Sequence, residues 1–372
     1  MSVRDLTNVN PDLLRELASW GRENGRVLTL VMDLDPSRFA TAEARGSEIS
    51  SLVDQAHRAV EAAGVARDEL LALRERVDEA RDYLESGDYA SEARGLALFG
   101  RSSGDDLQPV RLTRTGARRV ALDRWPLLAP LAREAASPRW SALLVDRRHA
   151  RLLRGDPERL EEIASLTDDE RETEVRGHLS EEVKGHLDRT AEALRVAHEQ
   201  WPLDALLIGG QHELLSDMEE RLPGELRPLL AGRFEVDMQA PPDAVLEAAR
   251  PAMDEHAERA IEETLDRLRT GSAHGTGALG LEDVLEALVE ARVEILLLEN
   301  YLASADVECP ACGWLGPPGH ESCPVDATAT ERHEDMIEPA LGRAVEQDAR
   351  VLLLHERDDL RPFEGIAAVL RF

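Results

Sequence analysis

The chain has 372 residues, 42% of them hydrophobic, with a formal net charge of -30 and a pI near 4.8. The apolar content is ample for packed cores, and no run approaches the roughly 20 apolar residues of a membrane-spanning helix, so disordered and membrane classes are excluded. We expect a cytoplasmic protein in which any RNA contact comes from local basic patches, because the net charge repels polyphosphate.

The length predicts three domains, since one core commonly serves roughly 100 to 150 residues. The first, 1–138, has α/β character. The apolar run 27–32 predicts a buried strand that ends at Asp33-Leu34-Asp35-Pro36. Apolar spacings of three and four predict helices over 47–60 and 68–84, and short strands follow at 95–100 and between 110 and 122.

The second domain, 139–270, opens with a predicted hairpin. A strand at 140–146 is followed by the turn Arg147-Arg148-His149 and a returning strand at 150–154. A charged, irregular stretch over 161–177 precedes a long amphipathic helix at 180–200 and a buried strand at 204–208. A helix at 213–222, a strand at 233–238 and a helix at 242–269 complete a second α/β domain.

The third domain, 271–372, follows a glycine-rich stretch over 271–277 that is typical of a flexible connector. A helix at 281–291 and a strand at 293–298 lead to a cysteine segment, a helix at 330–347 and strands at 351–355 and 366–372. The predicted fold is therefore α/β, with three separate domains in tandem and a small zinc-ribbon-like insertion at 309–326 in the third.

All three cysteines lie in this insertion. Cys309-Pro310-Ala311-Cys312-Gly313 has the spacing of a metal-binding knuckle, and Cys323 follows ten residues later. His320 is the predicted fourth ligand of a structural zinc ion, and Asp326 is a poorer one. The alternative is a degenerate ribbon that persists as a packed loop without its ion.

Gly209-Gly210-Gln211 directly follows an apolar strand and precedes a helix, so we interpret its glycines as a tight strand-to-helix turn. Gly100-Arg101-Ser102-Ser103-Gly104 has the nucleophile-elbow pattern but is not followed by a helix, which favours a loop. Asp33 and Asp35 lack a phosphate-binding glycine loop, so capping of the turn is favoured over magnesium binding. His149 is interpreted as a turn residue.

Several stretches, in order, resemble the superfamily of archaeal and eukaryotic class I release factors and Pelota, and specifically its bacterial relatives. They are 31–39, 142–150, 186–194 with 206–210, 280–288, the cysteine knuckle, and the ending 363–372. Their order and spacing extend over nearly the whole chain. The resemblance implies that the first domain faces the decoding region of the ribosome. The second would reach toward the peptidyl transferase centre, and the third would contact the stalk base or a translational GTPase.

Two departures from the family bear on activity. The family's stop-codon motif, Asn-Ile-Lys-Ser, is missing because Lys184 is the only lysine of the chain. The family's catalytic Gly-Gly-Gln loop belongs at about 161–186, an interval without glutamine, whereas Gln211 aligns with the end of the next strand. We therefore expect the standard hydrolysis of peptidyl-tRNA to be lost.

Basic residues remain in that interval. The candidate RNA-contacting set is Arg171, Arg176, His178, Lys184 and His186. An ordinary solvated face is the alternative. The leading hypothesis is a factor that binds the ribosomal A site and its rRNA and acts in hibernation, protection or rescue. The alternatives are a peptidyl-tRNA hydrolase in which His178 or His186 activates water, and an interaction protein without ribosome contact.

Overall fold

The computed structural model describes residues 2–3, 7–23, 25–34, 41–87, 89, 94–104, 106–113, 118–167, 181–210, 212–299, 307–316, 319–332, 336–354 and 357–372. The chain forms two compact units. The split unit consists of Met1–Ala136 and Thr264–Phe372, and the middle unit of Ser137–Glu263. The predicted mixed α/β architecture is confirmed, whereas the three domain boundaries stay a prediction. None of the described helices is long and apolar enough to span a membrane.

The first part of the split unit is a mixed sheet with helices on both faces. Its elements are β1 (Ser2–Val3), β2 (Thr7–Asn8), α1 (Pro11–Trp20), β3 (Val27–Asp33), α2 (Ala42–Ala62), α3 (Arg67–Ser86), β4 (Gly95–Arg101), β5 (Asp106–Leu112), β6 (Arg119–Asp123) and α4 (Ala129–Ala135). The strand order is β1-β5-β4-β3-β6, and β2 also pairs with β5. Leu28 and Leu30 pack with residues of α2 and α3, whereas Val27 and Val31 pack with α1. Burial of both faces explains why this strand is apolar without alternation.

The middle unit is built on one five-stranded sheet. Its elements are β7 (Trp140–Val145), β8 (His149–Asp156), β9 (Arg159–Thr167), α5 (Glu181–Gln200), β10 (Ala205–Gly210), α6 (His212–Arg221), β11 (Leu230–Phe234) and α7 (Pro242–His274), which continues past Glu263. The order is β11-β10-β7-β8-β9. The predicted hairpin is confirmed, since β7 and β8 pair antiparallel from Val145 and Ala150 outward.

Strand β9 was not expected from the sequence, which predicts an irregular stretch from 161. It pairs with β8 as an edge strand. Leu160 is its only buried residue, and the remaining side chains are exposed or half-exposed on both faces. An edge strand without a buried face has no period-two hydrophobic pattern, so periodicity does not detect it.

The second part of the split unit carries the cysteine ribbon. Its elements are β12 (Gly277–Leu279), α8 (Leu281–Val289), β13 (Val293–Glu299), β14 (Val307–Glu308), β15 (Leu315–Gly316), β16 (Glu331–Arg332), α9 (Ile337–Glu346), β17 (Arg350–Leu354) and β18 (Ile366–Leu370). One sheet has the order β12-β18-β13-β17 and the ribbon sheet the order β15-β14-β16. Helix α9 begins later than the predicted residue 330, because 331–332 pairs with β14 as part of the ribbon.

The predicted flexible connector at 271–277 is wrong. Residues up to His274 form the last turns of α7, and Gly277 begins β12. The Thr276 N–H donates to the Gly271 carbonyl at 2.9 Å, and a Cβ on Gly271 would meet the Thr276 carbonyl oxygen at 2.8 Å. These glycines allow close backbone packing at a helix end, a requirement that composition cannot distinguish from flexibility.

The two chain segments of the split unit share one hydrophobic core. Leu17 and Val31 of the first segment belong to the same buried cluster as Leu285, Leu296 and Leu341 of the second. Burial of each such side chain contributes about 1.5–3 kcal/mol relative to exposure. Each segment therefore depends on the other to cover its apolar face.

Trp125, near the end of the first segment, packs against and hydrogen-bonds to the second segment. Its side chain is 1% exposed, and its ring lies so close to Gly21 and Gly342 that neither could carry a Cβ. The indole N–H donates to a Glu308 carboxylate oxygen at 2.8 Å. Just beyond, Glu338 of α9 accepts two backbone N–H groups at the start of α4 at 2.5 and 3.3 Å.

Candidate functional site

The cysteine ribbon brings four metal-ligating side chains together. Cys309, Cys312, Cys323 and Asp326 each place a ligand atom within 4.8 Å of the other three. Cys309 and Cys323 are buried, whereas Cys312 and Asp326 are exposed. Three sulfurs and one carboxylate converging in a small volume could hold a metal ion, because thiolate and carboxylate groups are ligands of Zn²⁺.

The first knuckle, 309–313, is a tight turn closed by backbone hydrogen bonds. The Gly313 N–H donates to the Cys309 carbonyl at 2.8 Å, and the Cys309 N–H donates to the Trp314 carbonyl at 2.8 Å. Gly313 has a φ of 71°, which favours glycine. The turn aims the Cys312 N–H at the Cys309 sulfur, 3.5 Å away.

A second turn, 323–327, has the same construction. The Ala327 N–H donates to the Cys323 carbonyl at 2.9 Å, and the Val325 N–H points at the Cys323 sulfur at 3.3 Å. Ala327 has a φ of 61°, the conformation of Gly313 in the first knuckle. Cys323-Pro324-Val325-Asp326-Ala327 therefore repeats Cys309-Pro310-Ala311-Cys312-Gly313, with aspartate in place of the second cysteine. The repeated Cys-Pro pair was the sequence signal for this ligand.

The structure brings Asp326, rather than the predicted His320, into the donor group. Both Asp326 carboxylate oxygens lie 3.5 Å from the Cys309 sulfur. The Thr328 N–H donates to Asp326 at 3.0 Å, and this bond is the main cause that lowers the pKa of Asp326 to about 2. The carboxyl group is thus an anion at neutral pH. The His320 ring instead packs edge-on against Trp314, with centroids 5.3 Å apart.

The thiols of the group are electrostatically coupled. Partial desolvation, with the nearby Cys323, Cys309 and Asp326, raises the pKa of Cys312 to about 12. Burial also raises the pKa of Cys309, but backbone N–H donors and the adjacent sulfurs lower it by more, so its net direction is down. A bound cation favours the thiolate forms, because thiolates are the ligating species.

Contacts from outside the ribbon position the first knuckle. The Arg343 guanidinium, 9% exposed on α9, donates to the Gly313 carbonyl and approaches the Cys312 carbonyl at 3.5 Å. Arg124 donates to the Pro310 carbonyl at 3.0 Å. With the Trp125 bond to Glu308, these contacts hold the ribbon against both segments of the split unit.

The left-handed backbone at Ala327 gives a stability prediction. Ala327→Gly is expected to stabilise the protein by about 1 kcal/mol, since an L side chain in this region costs about 1–2 kcal/mol. Ala72→Gly in α3 makes the same chemical change at a helical position and is expected to destabilise by about 1 kcal/mol. Denaturant unfolding measures both, and equal effects of the two substitutions would contradict the strain argument.

The predicted RNA-contacting residues are only partly within the described chain. Arg171, Arg176 and His178 lie outside the described residues. Lys184 on α5 pairs with Glu181 at 2.8 Å. His186 is 1% exposed, so in this conformation its imidazole reaches neither RNA nor bulk water, and burial argues against the roles predicted for it.

The basic turn of the hairpin is organised by Asp146. The Arg148 and His149 N–H groups donate to one carboxylate oxygen at 2.7 and 2.6 Å, and the His149 ring lies 3.1 Å from both oxygens. Burial raises the pKa of Asp146, but these donors outweigh it and the net shift is downward. The interpretation of His149 as a turn residue agrees with this geometry. Thr167, where β9 ends, pairs with His149.

The glycine pair of the Gly-Gly-Gln tripeptide lies inside strand β10. Gly209 and Gly210 pair in parallel register with Leu144 and Val145. Gly210 has a φ of 131°, and a Cβ there would clash with the Val145 carbonyl oxygen. The glycines therefore serve backbone packing. Gln211 and Asp35 lie outside the described residues, while Asp33 is buried at the end of β3.

The middle unit contains a hairpin, a parallel strand that ends in two glycines, and the long helix α5. These are the elements in which the sequence resembles the release factors. Residues 126–254 match the model of bacterial archaeo-eukaryotic release factor family 10. The resemblance inferred from the sequence is therefore confirmed. A search of curated proteins gave no match.

Solved structures of three related factors are similar at low identity. An archaeal translation termination factor, aRF1, is 18% identical over 98% of this chain and 99% of its own, with a TM-score of 0.27. Pelota from Archaeoglobus fulgidus is 16% identical over 100% and 97%, with a TM-score of 0.35. Dom34 from S. cerevisiae, a translation termination-like factor that interacts with Hbs1, is 9% identical over 70% and 74%, with a TM-score of 0.42.

Proposed function

We propose that this chain is a cytoplasmic, ribosome-binding translation factor that lacks the standard Gly-Gly-Gln reaction and acts in ribosome hibernation, protection or rescue. The family match over 126–254 supports the release-factor class. The absence of glutamine between Gln108 and Gln200 supports the loss of ester hydrolysis, since no residue of that interval can supply the side-chain amide that positions water. This second observation carries the proposal.

The proposed ribosome contact is the hairpin end of the middle unit. Arg147, Arg148 and His149 form a basic turn there, and β9, which ends beside it at Thr167, precedes Arg171 and Arg176 in the sequence. Arg147 and Arg148 are exposed there, with Glu213 at 3.8 Å from Arg147, and exposed arginines within a strongly acidic chain are the local form of RNA contact that the net charge allows. A translational GTPase is proposed as a second partner on the resemblance of 280–288 and 363–372 alone.

We further propose that the ribbon ion is zinc. Three thiolates and one carboxylate match the ligand preference and tetrahedral number of Zn²⁺, whereas Mg²⁺ and Ca²⁺ prefer oxygen ligands. Cys309, Cys312, Cys323 and Asp326 would hold it. Its role would be structural, because it would cross-link two turns of one ribbon.

Co-sedimentation tests the proposed function. The full chain is expected to migrate with 70S particles at low salt and to release no peptide from peptidyl-tRNA. Arg171→Ala/Arg176→Ala is expected to reduce the log–log salt slope of binding by about two, one per phosphate contact. The control Arg195→Ala/Arg250→Ala removes the same charge from α5 and α7. Absence of co-sedimentation contradicts the proposal. Peptide release by the wild-type chain, lost in His178→Ala, favours the hydrolase alternative instead.

A further inference from the structure

Trp201 is an exposed tryptophan that carries a guanidinium on its ring. It directly follows α5, and its backbone N–H donates to the Ala197 carbonyl at 2.8 Å. Its side chain is 45% exposed, and Arg154 of β8 lies over the ring at 4.8 Å from the centroid. The guanidinium therefore lies over an indole that is partly open to solvent.

A second arginine–tryptophan pair of the same chain provides an internal comparison. Arg101 lies 4.5 Å from the ring centroid of Trp20. Trp20 is 3% exposed, and Arg101 is neutralised by Glu23 at 2.8 Å. In that pair the ring is buried, and the arginine charge is balanced by a carboxylate.

The charge of Arg154 is not neutralised in this way. Across the described residues, no carboxylate lies within 4.0 Å of its guanidinium. The acidic groups on neighbouring elements are committed to other arginines, in the pairs Glu161–Arg159, Asp204–Arg139 and Glu199–Arg195. The Asp156 carboxylate accepts the Glu158 and Arg159 N–H groups of the turn after β8. Glu161 lies opposite Arg154 in the β8–β9 register but pairs with Arg159, so the guanidinium sits against an exposed aromatic ring without an ion pair of its own among the described residues.

We propose that Trp201 and Arg154 form a stacking site for a base of single-stranded RNA, with Arg154 also contacting its phosphate. Any base presents a π-face to an indole, and stacking of this kind is tolerant of sequence. An arginine held beside the ring supplies the positive charge that the backbone requires. This inference rests on the proposed ribosome-binding function, and RNA is chosen over a protein partner because the guanidinium beside the exposed ring makes no ion pair with a described residue.

The site lies away from the basic turn of the hairpin. In the β7–β8 ladder Arg154 pairs with Ser141 near the start of β7, whereas the basic turn joins the other ends of these strands at Val145 and Ala150. RNA bound at Trp201 therefore contacts the middle unit at the end of the sheet opposite the hairpin turn. The two contacts are separable by mutation.

Intrinsic fluorescence makes the experiment specific. Of the five tryptophans of the chain, Trp201 is the exposed one. Titration of the full chain with a twelve-nucleotide oligoadenylate at low salt is expected to quench its emission and to shield it from acrylamide. Trp201→Ala is expected to weaken binding about 5-fold or more. Trp201→Phe is expected to retain most of the affinity while losing the quenching.

Arg154→Gln is expected to weaken oligoadenylate binding several-fold and to lower its salt dependence. The matched control for Trp201→Ala is Val196→Ala in α5. It also removes an exposed apolar side chain, 40% exposed, and should bind oligoadenylate as the wild-type chain does. Wild-type affinity of Trp201→Ala overturns the inference. So does loss of 70S co-sedimentation by Trp201→Ala with unchanged oligoadenylate binding, which assigns the site to a protein. Failure of the wild-type chain to co-sediment overturns the proposed function and leaves the oligoadenylate result to judge the site.

Discussion

Cys309→Ser is expected to abolish binding of the ribbon metal and to destabilise the split unit by about 4 kcal/mol when free zinc is a thousand-fold above its dissociation constant. Cys309 is fully buried, and its sulfur lies 3.5 Å from both Asp326 oxygens. Because the four donors converge only in the folded ribbon, metal binding free energy adds directly to folding free energy. Metal analysis of the purified protein and denaturant unfolding with and without a chelator measure the effect.

The same measurement decides the fourth ligand. Asp326→Ala is expected to weaken metal binding strongly, and Asp326→Cys to retain it by completing four thiolates. His320→Ala and Glu321→Ala, which alter neighbouring groups of the ribbon outside the donor set, should keep the metal. Loss of metal from His320→Ala together with its retention in Asp326→Ala would contradict the geometry described above.

Trp125→Ala is expected to destabilise the split unit by about 3–5 kcal/mol, the usual range for removing a large buried aromatic side chain. The cavity would open between Gly21 of the first segment and Gly342 of the second, where the ring now packs. It would also leave the buried Glu308 carboxylate without its indole donor, which adds a desolvation cost. Denaturant unfolding followed by circular dichroism measures the loss.

Two tryptophan substitutions control this result. Trp125→Phe keeps most of the ring volume but removes the N–H, so a smaller loss of about 1–3 kcal/mol is expected. Trp201→Ala removes an exposed ring and should change stability by about 0.5 kcal/mol or less. If Trp125→Phe folds and matches the wild-type stability, and Trp125→Ala costs no more than Trp201→Ala, the two segments do not depend on this contact.

Much of the fold could be predicted from local features of the sequence. The apolar run of β3, the hairpin of β7 and β8 and the helix α5 follow from periodicity and turn residues, which depend on near neighbours in the chain. The knuckle at Cys309 was predicted for the same reason, since two thiols and a glycine in one turn are a local pattern. The ordered motifs also led to the resemblance to the release-factor family, which the match of residues 126–254 confirms.

Contacts between distant residues were decided only by the tertiary structure. Asp326 lies beside the three cysteines because its turn folds against the first knuckle, whereas the sequence favoured His320, the better ligand by chemistry alone. The common core of Leu17 and Leu341 and the closure around Trp125 join positions more than 180 residues apart. Hydrophobic pattern states which side chains are buried but not against which partner, because burial is non-directional and many pairings satisfy it.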